Sequence, residues 1–139
     1  MNQDPVAEVV RDGGEIALPP AHDMVGDLHS SRLVGCTIRY RYTTGRCYEL
    51  VFEPEVATFR MLDAPGYVEA WGQRVAVRYR SVDVREDLVI VHWMGPPQGG
   101  GHVTMVIDLA ARKLFASALM PFAHVELFDA ADIDFVDPA

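Results

Sequence analysis

Residues 37–53 read TIRYRYTTGRCYELVFE, and this stretch decides the fold. Before the glycine, Tyr40 and Tyr42 alternate with Arg39 and Arg41. Side chains along a β-strand point alternately to opposite faces, so the tyrosines share one face and the arginines share the other. A second alternating segment follows the glycine. The stretch therefore predicts an antiparallel hairpin with one apolar face.

The register of this hairpin follows from its side chains. A two-residue loop would pair position 42 with 47 and would place Leu50 and Phe52 on the arginine face. A three-residue loop pairs 42 with 46 and 40 with 48, and the apolar residues then share the tyrosine face. A slip of one residue reverses every side chain, so we predict the three-residue loop, with Gly45 in the left-handed position of a bulge turn. The inner face then carries Tyr40, Tyr42 and Tyr48.

The remaining chain reads as a succession of strands, rich in Val, Ile, Phe and Tyr and separated by turn residues. Such a meander usually closes on itself, because closure removes the exposed edges. We predict an all-β fold with a single antiparallel lipocalin-like (calycin-type) barrel of about eight or nine strands, a size that can hold one small ligand. The predicted strands are 34–43, 46–53, 55–62, 74–84, 87–94, 102–109, 113–120, 123–128 and 132–136.

The first 32 residues differ from the rest, since they hold three prolines and two adjacent glycines and show no strand-length alternation. Val6–Arg11 has the length of a helical turn or two, and Leu18–Pro20 is extended by its prolines. We predict an irregular N-terminal arm at 1–32 that lies across a barrel domain at 33–139.

The composition narrows the function classes. The formal net charge of −8 disfavours binding to nucleic acids or anionic membranes, since both depend on basic surfaces. The chain lacks a long apolar run at its N-terminus, so we expect no signal peptide or membrane span and a cytoplasmic location. Its two cysteines, Cys36 and Cys47, fall on opposite faces of the predicted hairpin, so we expect both to be free thiols.

Several further residues are candidates for a site. The three tyrosines either donate hydrogen bonds to a ligand or are core aromatics bonded to the backbone. Arg60 lies in a strand with two partly apolar faces, so it either points inward as a carboxylate site or outward into solvent. Arg74 begins a strand in which Tyr79 is expected to point inward, whereas Arg78 and Arg80 are expected to point outward.

His92 and Trp93 lie on opposite faces of one strand, and one of them must point inward. An inward His92 could act as an acid or base near neutral pH. The histidines do not form a set with metal-ligand spacing, so we expect no metal. The loop GPPQGGG, which begins at Gly95, lacks the Lys-Ser/Thr pair of a phosphate-binding loop.

The stretch LVGCTIRYRYTTGRCYELVFE resembles the opening of the phenolic acid decarboxylases, whose pattern is roughly G-x-x-x-x-Y-x-Y-x-x-G-x-x-Y-E. The segments VIVHWMGPP and HVTMVIDLAARKLFAS resemble that family's W-x-x-P segment and the hairpin after it. The chain is at least as similar to the MoaF-related proteins, which share the small calycin-type barrel. The resemblance covers residues 33 to about 120.

The resemblance implies cofactor-free decarboxylation of hydroxycinnamic acids by a homodimer. Tyr40 and Tyr42 match the family's carboxylate-holding pair, and Tyr48 matches the tyrosine that follows. The family's arginine matches Arg74 only with a shift, in the stretch EAWGQRV. Gly95 stands where the family has its glutamate, so the family's own reaction is not implied intact.

The leading hypothesis is a cofactor-independent enzyme that binds a small aromatic or unsaturated carboxylate or carbonyl compound inside the barrel. Lyase, isomerase and cyclase reactions all fit such a pocket. The alternatives are a non-catalytic, lipocalin-like binding protein and an interaction domain with a filled barrel. The expected catalytic residues are Tyr40, Tyr42, His92 and Arg74, and the expected substrate-binding residues are Tyr48, Arg60, Tyr79 and Trp93.

Overall fold

A computed structural model describes residues 15–16, 25–63, 74–94, 101–120 and 125–138. Every regular element in this part of the chain is a β-strand. The predicted helical turn at Val6–Arg11, the extended Leu18–Pro20 and most of the GPPQGGG loop lie outside the described residues. The strands are β1 (Glu15–Ile16), β2 (Thr37–Tyr42), β3 (Cys47–Phe52), β4 (Val56–Asp63), β5 (Arg74–Arg85), β6 (Leu88–Met94), β7 (His102–Asp108), β8 (Lys113–Met120) and β9 (Val125–Asp137).

Strands β2 to β9 form a closed antiparallel barrel of eight strands, which confirms the predicted fold class. Each strand pairs with the next one along the chain, β9 pairs back with β2, and the β5–β6 pairing completes the ring. The short β1 adds a parallel pairing to the start of β5, at Arg74 and Val75. No helix in the described part of the chain is long and apolar enough to span a membrane.

The opening hairpin has the predicted register. Tyr40 is paired with Tyr48 and Ile38 with Leu50. The amide of Tyr42 donates to the carbonyl of Arg46 at 2.9 Å, and Gly45 has the left-handed φ of 95°. The three-residue loop is therefore confirmed, and hydrophobic side chains alone were enough to select it.

Two long strands let the barrel close. Residues Val75–Arg78 of β5 pair with β4, whereas Tyr79–Arg85 pair with β6. Strand β9 does the same, pairing first with β8 and then with β2. The sequence predicted two strands, 123–128 and 132–136, but 125–137 is one continuous strand, because residues between them pair on both sides: Ala131 with Leu114 and with Tyr42.

The barrel interior holds the core. Alternate residues of most barrel strands are buried, with interruptions in β3 and β9, and the largest fully buried side chains are Tyr40, Tyr79, Phe52, Leu33, Ile38 and Leu50. Ser81 is the one buried polar residue among those described. This alternation of buried and exposed residues is what a closed antiparallel sheet with a single core requires.

Residues 29–36 cross one end of the barrel, which we call the covered end; β3 meets β4 and β5 meets β6 there. The amide of Ser30 donates to the carbonyl of Ser81 at 3.0 Å, and the amide of Gly35 donates to the carbonyl of Phe52 at 2.8 Å. Leu33, which belongs to this segment, is fully buried. We call the opposite end, where β2 turns into β3, the Tyr42 end.

The alternation settles which way the uncertain residues point. Arg60, Arg74 and His92 lie on the outer face, because their strand neighbours Phe59, Val75 and Trp93 are directed into the core. The inward-pointing alternatives for Arg60 and His92 are therefore wrong. Cys36 and Cys47 are free, as predicted, although both are buried.

Candidate functional site

Three tyrosines meet in the interior toward the Tyr42 end. Tyr40 stacks on Tyr48 with ring centroids 5.8 Å apart, and it meets Tyr42 edge-on at 5.5 Å. Tyr42 and Tyr48 also meet edge-on, at 5.8 Å. The hairpin register produces this arrangement, because it brings positions 40 and 48 opposite each other and leaves position 42 on the same face. The sequence predicted this trio, and the structure brings it together.

The tyrosine hydroxyls keep their protons, and so remain hydrogen-bond donors, throughout the physiological range. Burial raises the pKa of Tyr40 well above its ordinary value, and the nearby Tyr42 and Tyr48 raise it further. Burial likewise raises the pKa of Tyr42. A phenol with a raised pKa holds its proton firmly, so it can donate a hydrogen bond to a ligand oxygen but is a poor base.

Arg46 supplies a positive charge beside these phenols. Burial raises the pKa of Tyr48, whereas the charge of Arg46 and a hydrogen bond from it oppose that rise. The same arginine lowers the pKa of Tyr42 by its charge. The sequence analysis missed Arg46, yet its signal was present: the register that pairs 42 with 46 also puts Arg46 on the tyrosine side of the hairpin.

Two further rings extend the aromatic surface across the barrel. Phe59 meets Tyr48 at 6.5 Å, and it stacks on Trp93 at 6.0 Å. Trp93 was predicted to belong to the site; Phe59 was not, because both faces of its strand carry apolar residues. We call the five residues Tyr40, Tyr42, Tyr48, Phe59 and Trp93 the aromatic cluster.

The indole of Trp93 carries an unsatisfied donor. Trp93 is 3% exposed, and its buried Nε1 has no hydrogen-bond partner in the described structure. A buried donor without a partner costs about 1–3 kcal/mol, so native proteins rarely retain one without a reason. In this setting the indole is a hydrogen-bond donor that a ligand acceptor could satisfy.

Tyr79 belongs to a different group of rings, at the covered end. Its hydroxyl donates to the carbonyl of Glu53 at 2.6 Å, and its ring meets Phe52 at 5.1 Å and His29 at 4.9 Å. His29 in turn bonds through Nε2 to the carbonyl of Pro54. We call His29, Phe52 and Tyr79 the anchored group, because the Tyr79 hydroxyl and His29 Nε2 bond to backbone carbonyls, although the buried Nδ1 of His29 has no partner among the described residues. We expected Tyr79 to bind substrate, but its hydroxyl is already hydrogen-bonded to the carbonyl of Glu53.

The remaining predicted residues are separated from the aromatic cluster by the barrel wall. Arg60 donates to Glu49 at 3.1 Å on the outer face, and Arg39 donates to the other oxygen of Glu49 at 2.8 Å. Arg74 is exposed at the start of β5. His92 lies beside His102 on the outer face, with ring centroids 6.4 Å apart.

The residues brought together can bind but offer little acid–base chemistry. The interior site joins donors on Trp93 and the tyrosines to one cation, Arg46, and to flat aromatic walls. No group of three or more His, Cys, Asp or Glu side chains in the described ranges is placed to hold a metal ion. Aromatic side chains with a few placed polar groups are typical of the lining of small-molecule sites.

Fold and site together define a closed antiparallel β-barrel with an aromatic interior. Comparison with solved structures finds the same fold in a crystal structure described as "a putative beta-lactamase from Burkholderia vietnamiensis". The two chains share 15% sequence identity with a TM-score of 0.63, over 77% of this chain and 97% of the other. At this identity the likeness concerns the fold alone. No protein-family model matches the chain, and no curated protein matches it.

Proposed function

We propose that the protein binds a small aromatic or unsaturated compound inside the barrel, and that the compound carries a carboxylate or carbonyl group. The observation behind the proposal is the buried, unpartnered Nε1 of Trp93 within a continuous aromatic surface that has Arg46 at its other side. Aromatic rings favour a flat, apolar ligand body. The donors on Arg46, Tyr42 and Tyr48 favour a ligand acceptor, because a charge-assisted hydrogen bond is roughly twice as strong as a neutral one.

Binding without turnover is the simplest form of this proposal. The acid or base expected at His92 and the charge expected at Arg74 both lie outside the barrel wall, so neither reaches a compound held among the tyrosines. The interior phenols keep their protons, which suits them to hold an oxygen rather than to abstract a proton.

The test is isothermal titration calorimetry of the protein with a panel of hydroxycinnamic acids and unsaturated carbonyl compounds. We expect at least one ligand to bind and Arg46→Gln to weaken carboxylates about tenfold, in line with the loss of a charge-assisted hydrogen bond. Arg39→Gln is the matched control, since it removes an arginine from the outer face of the same hairpin. Equal losses in the two variants would rule out the interior site.

A cofactor-free lyase, isomerase or cyclase is the second candidate, favoured by the grouping of three protonated phenols that could donate hydrogen bonds to negative charge developing on a bound substrate. The same mixtures, analysed by mass spectrometry after incubation, separate it from simple binding. Turnover that falls in Tyr40→Phe and Tyr42→Phe, with binding retained, supports catalysis. If the masses of all bound compounds stay unchanged, binding without turnover remains the proposed function.

A further inference from the structure

The hairpin of β6 and β7 gathers three metal-ligating side chains on the outer face of the barrel. His92 and Met94 lie two positions apart on β6, on either side of Trp93, which points into the core. Met94 is paired directly with His102 at the start of β7, so the three side chains project from the same face of the sheet. We call His92, Met94 and His102 the His–Met set.

The two imidazole rings of the set are close enough to share one metal ion. Their centroids are 6.4 Å apart, because His92 and His102 occupy diagonal positions of the β6–β7 pairing. With metal–nitrogen bonds of about 2 Å, two imidazoles on one ion have ring centroids about 5–6 Å apart. A small rotation about the side-chain bonds therefore brings one nitrogen of each ring to bonding distance of a common ion.

Met94 adds a sulfur ligand at the same place. Its side chain is 37% exposed, and residues paired directly across antiparallel strands, like Met94 and His102, have Cβ atoms about 4.5–5.5 Å apart. Methionine is unbranched and has three rotatable bonds, so its thioether can reach an ion held between the rings without a change in the backbone.

The neighbouring residues favour a soft, singly charged ion. The register partners of the set, apart from its own members, are Arg80, Thr104 and Leu119. None of these three supplies a carboxylate of the kind that Mg²⁺ and Ca²⁺ prefer, and the positive charge of Arg80 beside His92 opposes a divalent ion. Two imidazoles and a thioether form a neutral ligand set, and thioether ligands favour Cu(I).

We propose that the His–Met set binds one Cu(I) ion through a nitrogen of His92, a nitrogen of His102 and the sulfur of Met94. The site does not depend on a ligand inside the barrel, because it lies on the outer side of the wall. The sequence predicted no metal because the histidines alone lack a ligand set. Met94 completes the set only when β6 and β7 pair, so the site follows from the register.

Titration of the full chain with Cu(I), kept reduced by ascorbate and bound to the chromophoric chelator ferrozine, tests the site. We expect the protein to withdraw one equivalent of Cu(I) from the chelator. Met94→Leu and His102→Gln should each weaken binding at least about tenfold, since even residues that only support metal ligands contribute that much. His29→Gln is the matched control, because it removes a histidine at the covered end, and circular dichroism checks that each variant keeps its fold.

Two further measurements identify the ligands. Free thiols also bind Cu(I), so the titration is repeated with Cys36→Ala and with Cys47→Ala, which should both keep the wild-type affinity. X-ray absorption at the copper edge should show one sulfur together with nitrogen around the ion in wild type. The sulfur should be absent in Met94→Leu.

The proposal is overturned if the protein withdraws no Cu(I) from ferrozine. It is also overturned if a cysteine variant or His29→Gln loses as much affinity as Met94→Leu, since the ion would then lie elsewhere. Equal affinities of Met94→Leu and wild type would likewise exclude the thioether as a ligand and with it the His–Met set.

Discussion

The barrel contains two groups of aromatic rings, the anchored group and the aromatic cluster, which differ in what holds their polar atoms. In the anchored group, Tyr79 and His29 bond to backbone carbonyls of the β3–β4 connection. In the aromatic cluster, Tyr40, Tyr42 and Tyr48 contact one another and Arg46, and Trp93 leaves its donor unsatisfied. The two ends therefore differ in that hydrogen bonds to the backbone hold the rings of the covered end, whereas contacts among side chains hold the rings of the Tyr42 end.

The covered end should therefore respond most strongly to a change in its packing. Leu33 is completely buried in the segment that crosses this end. Leu33→Ala should lower the free energy of unfolding by about 2–5 kcal/mol, because it removes buried methyl groups and leaves a cavity. Urea denaturation followed by circular dichroism measures the loss.

The neighbouring residue supplies the control for this change. Val34 is 37% exposed in the same turn, so Val34→Ala should cost less than about 0.5 kcal/mol. A loss for Leu33→Ala no larger than that of Val34→Ala would mean that residues 29–36 do not close the barrel.

The second prediction contrasts one hydroxyl from each group. Tyr79→Phe removes the hydrogen bond to the Glu53 carbonyl and should lower the free energy of unfolding by about 1–1.5 kcal/mol. Tyr42→Phe should cost less, because the hydroxyl that it removes interacts with the neighbouring Tyr40 hydroxyl instead of a backbone carbonyl. Paired urea titrations of the two variants measure the difference, and equal losses would erase the distinction between the groups.

The sequence was sufficient for the features that hydrophobic alternation controls. It predicted the barrel, the hairpin register and the inward tyrosines, because in the opening hairpin only one register collects the apolar residues on one face. It could not orient His92 and Trp93, because the outer face of β6 carries Leu88 and Ile90 and is nearly as apolar as the inner one.

Arg60 was ambiguous for a different reason. Its orientation depends on Glu49, a residue eleven positions away that lies beside it only when β3 and β4 pair. Arg46 was overlooked because a turn residue has no periodicity of its own. Contacts made by charge between neighbouring strands follow from the register, so they can be predicted only after the register is known.

Glu49 lies on the outer face of β3, a strand that also carries Tyr48 of the aromatic cluster and Phe52 of the anchored group. Partial burial acts to raise the pKa of Glu49, but hydrogen bonds from Arg39 and Arg60 outweigh it, and the pKa is lowered overall. A lowered pKa in the folded state stabilises the protein above the unfolded pKa of about 4.3, and this stabilisation is lost as the pH falls through the folded value.

Glu49→Gln should therefore cost at most about 1 kcal/mol at pH 7, since ion pairs near the surface contribute little. The difference in unfolding free energy between wild type and Glu49→Gln should shrink as the pH falls below about 4. Urea titrations at several pH values measure it. A difference that persists unchanged at pH 3 would assign the effect of Glu49 to packing instead of charge.

Replacing Trp93 should change the stability little, although we expect it to lower the affinity for a ligand. Trp93→Phe removes an unsatisfied donor, which relieves a penalty of about 1–3 kcal/mol, and it also removes buried ring atoms, which costs a similar amount. The two effects oppose each other, so the free energy of unfolding should change by less than about 1 kcal/mol. Ligand affinity should nevertheless fall, because phenylalanine keeps an aromatic face toward Phe59 but cannot donate a hydrogen bond.

Calorimetric titration measures the ligand affinity of Trp93→Phe, and urea denaturation measures its free energy of unfolding. A large loss of stability with unchanged affinity would place Trp93 with the anchored group as a purely structural residue, and the interior would then have no donor reserved for a ligand on that wall.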